Sequence, residues 1–228
     1  MKSLMEMVRS PNRRMIIQHV IKGIPGLTQS DAQRILAEGI HCNWVYNHPP
    51  LKWDEIHVRL TADNLDWHQN RYTDWDPNFT PNERFCRHTG FISTTAGTYL
   101  RDVPNYTNIC MPAWQVALKY ATAEWRTDGY LFYCYLFVLG RKSVSIPAFS
   151  EELRELNVYT DYSDFQTEGE IAAKISISPA QIEKAEFWSL TDAKAADLAK
   201  VRGTPGYTLT NSLYQPPDDI NNVRKCLD

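Results

Sequence analysis

The sequence predicts an α+β fold built on β-sheets with flanking helices. Short runs rich in β-branched and aromatic residues recur at Phe91–Thr95, Tyr130–Leu139, Gly169–Ser176 and Ala185–Leu190, bounded by glycine, proline or polar turns. Helical spacing is confined to a few stretches, the clearest being Met111–Arg126, with Trp114, Leu118, Ala121 and Trp125 at helical intervals. No internal repeat is present, and many short strands with few helices favour sheets covered by helices.

Composition narrows the classes. The chain has 228 residues, 43% of them hydrophobic, enough for one real core with peripheral additions. A net charge of −3 lacks the basic footprint of a nucleic-acid binder, so a nucleic-acid partner is disfavoured. The longest apolar run, Tyr130–Gly140, falls short of the roughly 20 residues that cross a bilayer, and no membrane span is expected. Lys2, Glu6, Arg9, Arg13 and Arg14 are unlike a Sec signal, so any export is expected to use a non-Sec route. Cys42, Cys86, Cys110, Cys134 and Cys226 are odd in number and lack C-x-x-C spacing. Free buried thiols and no metal site are expected; a Cys42–Cys226 bridge is left open.

Along the chain, Ile16, Ile17, Val20 and Ile21 predict a helical face within 11–40, broken at Gly23-Ile24-Pro25-Gly26. Thr28 or Ser30 is expected to cap a second helix, Asp31–Glu38, ending near Gly39. Residues 43–53, with Pro49-Pro50, read as a linker. Ile56-His57-Val58-Arg59-Leu60 alternates as a strand does, and residues 63–84 read as a long aromatic loop. Ser143–Ile146 reads as a further short strand and Glu151–Leu156 as a helical turn, followed by a Tyr/Asp/Phe-rich loop over 157–167. The expected organisation is a helical extension over 1–54, a core over 55–192 and an irregular tail over 193–228.

Glu168-Gly169-Glu170 is the first feature with chemistry in it. On a strand, residues two apart share a face, with Cα atoms roughly 6.5–7 Å apart, so both carboxylates can reach one substrate. One can stabilise a developing cation while the other takes a proton from the attacking group. Arg59 offers a planar fork for phosphate, and the hydroxyls of Ser93-Thr94-Thr95 can orient a carboxylate or a ribose. Singly, each has an ordinary structural explanation. Together they lie on expected strands in the order Arg, Ser-Thr-Thr, Glu-x-Glu.

In that order the chain resembles the arginine–serine–glutamate mono-ADP-ribosyltransferases of the cholera-toxin and pertussis-toxin type. The stretch from Glu168 to Ile182, Glu-Gly-Glu-Ile-Ala-Ala-Lys-Ile-Ser-Ile-Ser-Pro-Ala-Gln-Ile, carries the strongest match. Gly90-Phe91-Ile92-Ser93-Thr94-Thr95 is similar to the family's glycine–aromatic–aliphatic–Ser-Thr-Ser strand, with threonine at the last position. Val58-Arg59 is similar to the first-strand aromatic–arginine motif, with valine before the arginine. Gln166-Thr167-Glu168 offers a second register, but the distance to Pro179 and Ile182 selects Glu170. The resemblance covers about residues 55–190.

The resemblance implies an ADP-ribosyltransferase-like fold, two packed, mostly antiparallel sheets around a cleft for NAD+, the co-substrate. It implies that Glu170 stabilises the reacting ribose, that Ser93 orients Glu170, and that Glu168 activates the acceptor. Arg59 and the Leu60 backbone would hold NAD+, with Thr94 and Thr95 bracing the strand, and Tyr159, Tyr162 and Phe165 would meet a target protein. Glu-x-Glu goes with arginine acceptors in this family, and most members are secreted toxins or effectors. Four alternatives stand beside it: NAD+ glycohydrolysis, transfer to a nucleic-acid base, a glycoside or nucleoside hydrolase using the paired glutamates, and an inactive binding module on the same fold. Nicotinamide release and labelled-NAD+ transfer to protein or DNA separate them.

Overall fold

The apolar stretch read as a helix at the start of the chain is a strand, β1 (Met15–Pro25). The computed structural model describes residues 15–79, 82–96, 112–139, 150–152 and 169–217. β1 pairs antiparallel with β4 (Gly129–Leu139) along its whole length, from Met15 opposite Leu139 to Pro25 opposite Gly129. On its other side Ile21 pairs with Thr95 of β3 (Phe91–Thr95). Val20 and Ile21 are both fully buried, in separate core clusters on opposite faces of the sheet. In a strand covered on both faces the polar residues, here Gln18, His19 and Lys22, do not alternate regularly with apolar ones, so its isoleucines also satisfy helical spacing.

The next helix falls where expected. α1 (Gln29–Glu38) starts at Thr28, whose hydroxyl accepts from Asp31 N–H at 3.1 Å while the Asp31 carboxylate accepts from Thr28 N–H at 3.2 Å. Such a reciprocal cap is worth about 1 kcal/mol. β2 (Ile40–His41) follows. Residues 43–70, expected as linker, strand and loop, instead hold three short helices: α2 (Asn43–Asn47), α3 (Trp53–His57) and α4 (Ala62–Asn70). Ile56 and Leu60 are buried while Val58 is 66% exposed, an i, i+4 pattern that a strand cannot give. Thr61 caps α4 through Asn64 N–H.

β3 and β4 match the expected strands, and α5 (Ala113–Ala121) the expected helix. β5 (Glu151–Glu152) replaces the start of the expected helical turn. β6 (Glu170–Lys174) and β7 (Ser176–Ile177) lead through a 3₁₀ turn at Pro179–Gln181 into β8 (Ile182–Trp188). The tail read as irregular contains α6 (Leu190–Ala199) and β9 (Tyr207–Thr210). Arg202 donates to Glu186 at 2.8 Å and to the Tyr133 hydroxyl at 2.7 Å, fastening the turn after α6 to the sheet. Ser143–Ile146 and the 157–167 loop lie outside the described residues.

The strands form a seven-stranded antiparallel sheet, ordered β5-β6-β3-β1-β4-β8-β9, and a two-stranded sheet, β2-β7. The architecture is α+β and mostly antiparallel, as the sequence predicts. One face of the large sheet packs against α1, α2 and the 56–65 segment through Ile35, Leu36, Trp44, Ile56 and Leu65. The other packs against α5 and α6 through Trp114, Leu118, Ala193 and Ala196. A Cβ on Gly23 would sit 2.2 Å from the Ala117 carbonyl oxygen, so the glycine lets α5 lie directly on β1. Cys42, Cys86 and Cys134 are free thiols; Cys110 and Cys226 lie outside the described residues.

Candidate active site

Adjacent strands β6, β3 and β1 carry a carboxylate, a hydroxyl and an amine to one cavity. The ladders align Ile21, Thr95 and Glu170 in a row across the sheet. Ser93 lies two residues before Thr95, and Lys22 follows Ile21. Glu170, Ser93, Thr94, Thr95 and Lys22 line a cavity of about 260 Å³, walled by His68 and Gln69 of α4, by Tyr72, and by Val116, Ala117 and Tyr120 of α5. A second hollow of about 570 Å³ shares Lys22, Gly23, His68, Tyr72 and Ser93 with it and extends beneath Arg34 and Glu38 of α1. Together they form an elongated cleft in the size range of small-molecule sites.

Glu170 opens β6 and is only 8% exposed. The preceding Gly169 has φ +58°, the left-handed region, and its carbonyl accepts from Ala96 N–H at 3.0 Å. His68 stands beside the carboxylate, with Nε2 2.8 Å from Ser93 Oγ and 3.8 Å from Glu170 Oε1. Its Nδ1 lies 2.9 Å from Thr89 Oγ1. Burial, reinforced by the Lys22 charge, pushes the His68 pKa down to about 3, so the imidazole is neutral at pH 7. Lys22 is half-buried. Burial lowers its pKa from the ordinary lysine value, while Glu170 and Cys134 pull it back up. The cleft thus pairs a poorly solvated amine with a nearby carboxylate, a setting in which an anionic ligand group would relieve the desolvation of an ammonium.

The structure brings Ser93, Thr94, Thr95 and Glu170 together. Thr94 Oγ1 donates to Ile171 C=O at 2.6 Å, tying β3 to β6. Arg59 and Leu60 are not brought there. Because 53–57 is helical, Arg59 falls in a turn where its guanidinium is buried against Asp76 at 2.5 Å, donates to His88 C=O at 3.2 Å and lies over Trp44, Phe79 and Phe85. Leu60 is 2% exposed in the core. Glu168, Tyr159, Tyr162 and Phe165 lie outside the described residues.

Sequence reasoning missed Lys22, His68 and Tyr72. The β-branched richness of Ile16–Ile24 was a signal for Lys22, since a lysine alternating with Val20 and Ile24 on a buried strand needs a purpose. Leu65 and His68 at i, i+3 hinted that the histidine faces inward. Among the described residues no cluster of His, Cys, Asp and Glu could hold a metal ion, and no helix is long and apolar enough to cross a membrane.

By sequence, no family model and no curated protein matches the chain. Solved structures similar to it include a guanine-specific ADP-ribosyltransferase (12% identity, TM-score 0.42, covering 90% of this chain and 83% of that one). EcPltA is similar at 14% identity and TM-score 0.42, over 91% of this chain and 90% of that one. The catalytic domain of the mosquitocidal toxin from Bacillus sphaericus is similar at 13% identity and TM-score 0.36, over 92% of this chain and 63% of that one.

Proposed function

We propose that the chain transfers ADP-ribose from NAD+ to a protein side chain, with Glu170, Ser93 and Lys22 as its working groups. One observation carries the reading: a carboxylate, a hydroxyl and an amine from three adjacent strands line a single cleft. NAD+ supplies a ribosyl group bonded to a pyridinium nitrogen; as that C–N bond breaks, nicotinamide leaves neutral with the bonding pair and the positive charge passes to the sugar. Glu170 would grip a ribose hydroxyl and stabilise positive charge on the sugar, as carboxylates do in glycoside hydrolysis. Ser93 and neutral His68, its Nε2 3.8 Å from Glu170 Oε1, stand beside that carboxylate and would orient it. Lys22, protonated when an anion is bound, takes the phosphate-binding role first read onto Arg59. Glu168 activates the acceptor, arginine being favoured by Glu168-Gly169-Glu170, and Tyr159, Tyr162 and Phe165 meet the target. A secreted toxin or effector is the setting we propose.

The test incubates the protein with labelled NAD+ and a cell lysate, and separately with DNA, with mass spectrometry of modified residues and an assay of nicotinamide release. Label on protein arginines, none on DNA, and loss of both transfer and release by roughly 10²–10³-fold in Glu170→Gln are expected. Absent nicotinamide release by the wild type, or full activity of Glu170→Gln, would overturn the proposal.

A further inference from the structure

Thr89 lies outside the cleft, 1% exposed, yet its hydroxyl touches the chain of groups that ends at Glu170. Two partners meet Thr89 Oγ1 among the described residues. Phe91 N–H donates to it at 3.2 Å, and His68 Nδ1 lies 2.9 Å away. A hydroxyl has one proton to give and two lone pairs to receive. Phe91 uses one lone pair, and among the described residues the proton has a single acceptor in reach, His68 Nδ1. The ring must then carry its own proton on Nε2, which faces Ser93 Oγ at 2.8 Å and Glu170 Oε1 at 3.8 Å. The opposite tautomer would leave the Thr89 proton buried without an acceptor and turn an imidazole lone pair toward a carboxylate.

We infer that Thr89 is a positioning residue that fixes His68 in its Nε2–H tautomer, so that Ser93 receives a hydrogen bond from His68 and keeps its own proton for Glu170 or a bound ribose. The functional half of this inference rests on the reading of Glu170 and Ser93 as working groups. The chain runs Thr89 O–H to Nδ1, then Nε2–H to Ser93 Oγ, then Ser93 O–H into the cleft. No proton changes residue; the relay sets direction alone. The His68 pKa near 3 keeps the ring neutral, so the arrangement persists across physiological pH. Burial sets that pKa and the Lys22 charge lowers it further. The Glu170 carboxylate faces the ring at 3.8 Å, and Tyr72 packs on it at 5.5 Å.

The experiment is long-range ¹H–¹⁵N correlation NMR on the full chain labelled with ¹⁵N-histidine at pH 7, with His68 assigned by its loss in His68→Gln. Wild type should show one neutral ring protonated at Nε2. Thr89→Val should shift His68 toward the Nδ1–H form and lower kcat for nicotinamide release by roughly tenfold or more, with KM nearly unchanged, as loss of an orienting partner does elsewhere. Thr89→Ser should restore both. A wild-type ring protonated at Nδ1, or an unchanged tautomer in folded Thr89→Val, would overturn the inference. If Thr89→Val fails to fold, the wild-type and Thr89→Ser spectra still decide. If the wild type releases no nicotinamide, the functional reading falls, while the tautomer decides the hydrogen-bond chain.

Discussion

Thr95 is the direct ladder partner of Glu170, and the residue that delivers the glutamate to that ladder, Gly169, holds φ +58°. A carboxylate at the first residue of an interior strand takes its aim from the residue before it. Here that residue is clamped by the Ala96 N–H bond to its carbonyl.

Gly169→Ala therefore places a Cβ in a left-handed conformation, at a cost of about 1–2 kcal/mol. Urea denaturation should register that loss. Nicotinamide release should fall further than the fraction unfolded explains, because relief of the strain re-aims Glu170. An active, equally stable Gly169→Ala would mean that this backbone setting does not govern the carboxylate.

Lys22 carries the cationic role in the proposed function, and burial already works against its charge. Lys22→Met removes a poorly solvated charge, so stability should hold or rise. Binding should suffer: a lost charged hydrogen bond of about 1.5–3 kcal/mol corresponds to a KM for NAD+ raised roughly 10- to 150-fold. Calorimetric titration with NAD+ and a thermal melt separate the two effects. Equal NAD+ affinity in Lys22→Met would take the lysine out of the binding role.

Arg59 gives the converse pattern. Its guanidinium and the Asp76 carboxylate are 8% and 1% exposed, and breaking such a pair leaves a charge buried alone. Arg59→Met should cost about 3–5 kcal/mol in urea unfolding while the folded fraction keeps its affinity for NAD+. Loss of NAD+ binding without loss of stability would return Arg59 to the cleft.

The contrast between Arg59 and Ser93 shows what the sequence could carry. Phe91–Thr95 has one reading, since four β-branched or aromatic residues among five after a glycine suit only a strand, and its partner strand follows from the Glu-x-Glu stretch. Ile56–Leu60 has two readings, because Ile56 and Leu60 are also one helical turn apart. Only tertiary burial, with Val58 left outside, decides for the helix. β1 has the same ambiguity at greater length, and that concealed Lys22. A strand covered on both faces offers no polar alternation to betray its period. His68 was concealed for another reason. Its partners Thr89 and Ser93 lie 21 and 25 residues away, and nothing local in a helix announces a contact at that separation.

The same histidine makes the fold acid-sensitive. Burial holds the His68 pKa near 3, below the unfolded value of about 6.5. Between those values the unfolded chain binds a proton that the folded chain refuses, so stability rises with pH across that window. The contribution is complete above about pH 6.5 and is lost progressively as pH falls toward 3. His88 acts in the same direction, its pKa lowered by burial and by His48. Unfolding free energies from urea titrations at pH 7, 6 and 5 should therefore decline for the wild type. His68→Gln keeps an amide donor in the site without a titrating ring, and should decline less steeply over the same range. An identical slope in the two proteins would mean that His68 takes up its proton alike in the folded and unfolded chains. That would remove the burial effect that keeps its ring neutral, and Ser93 oriented, below about pH 6.5.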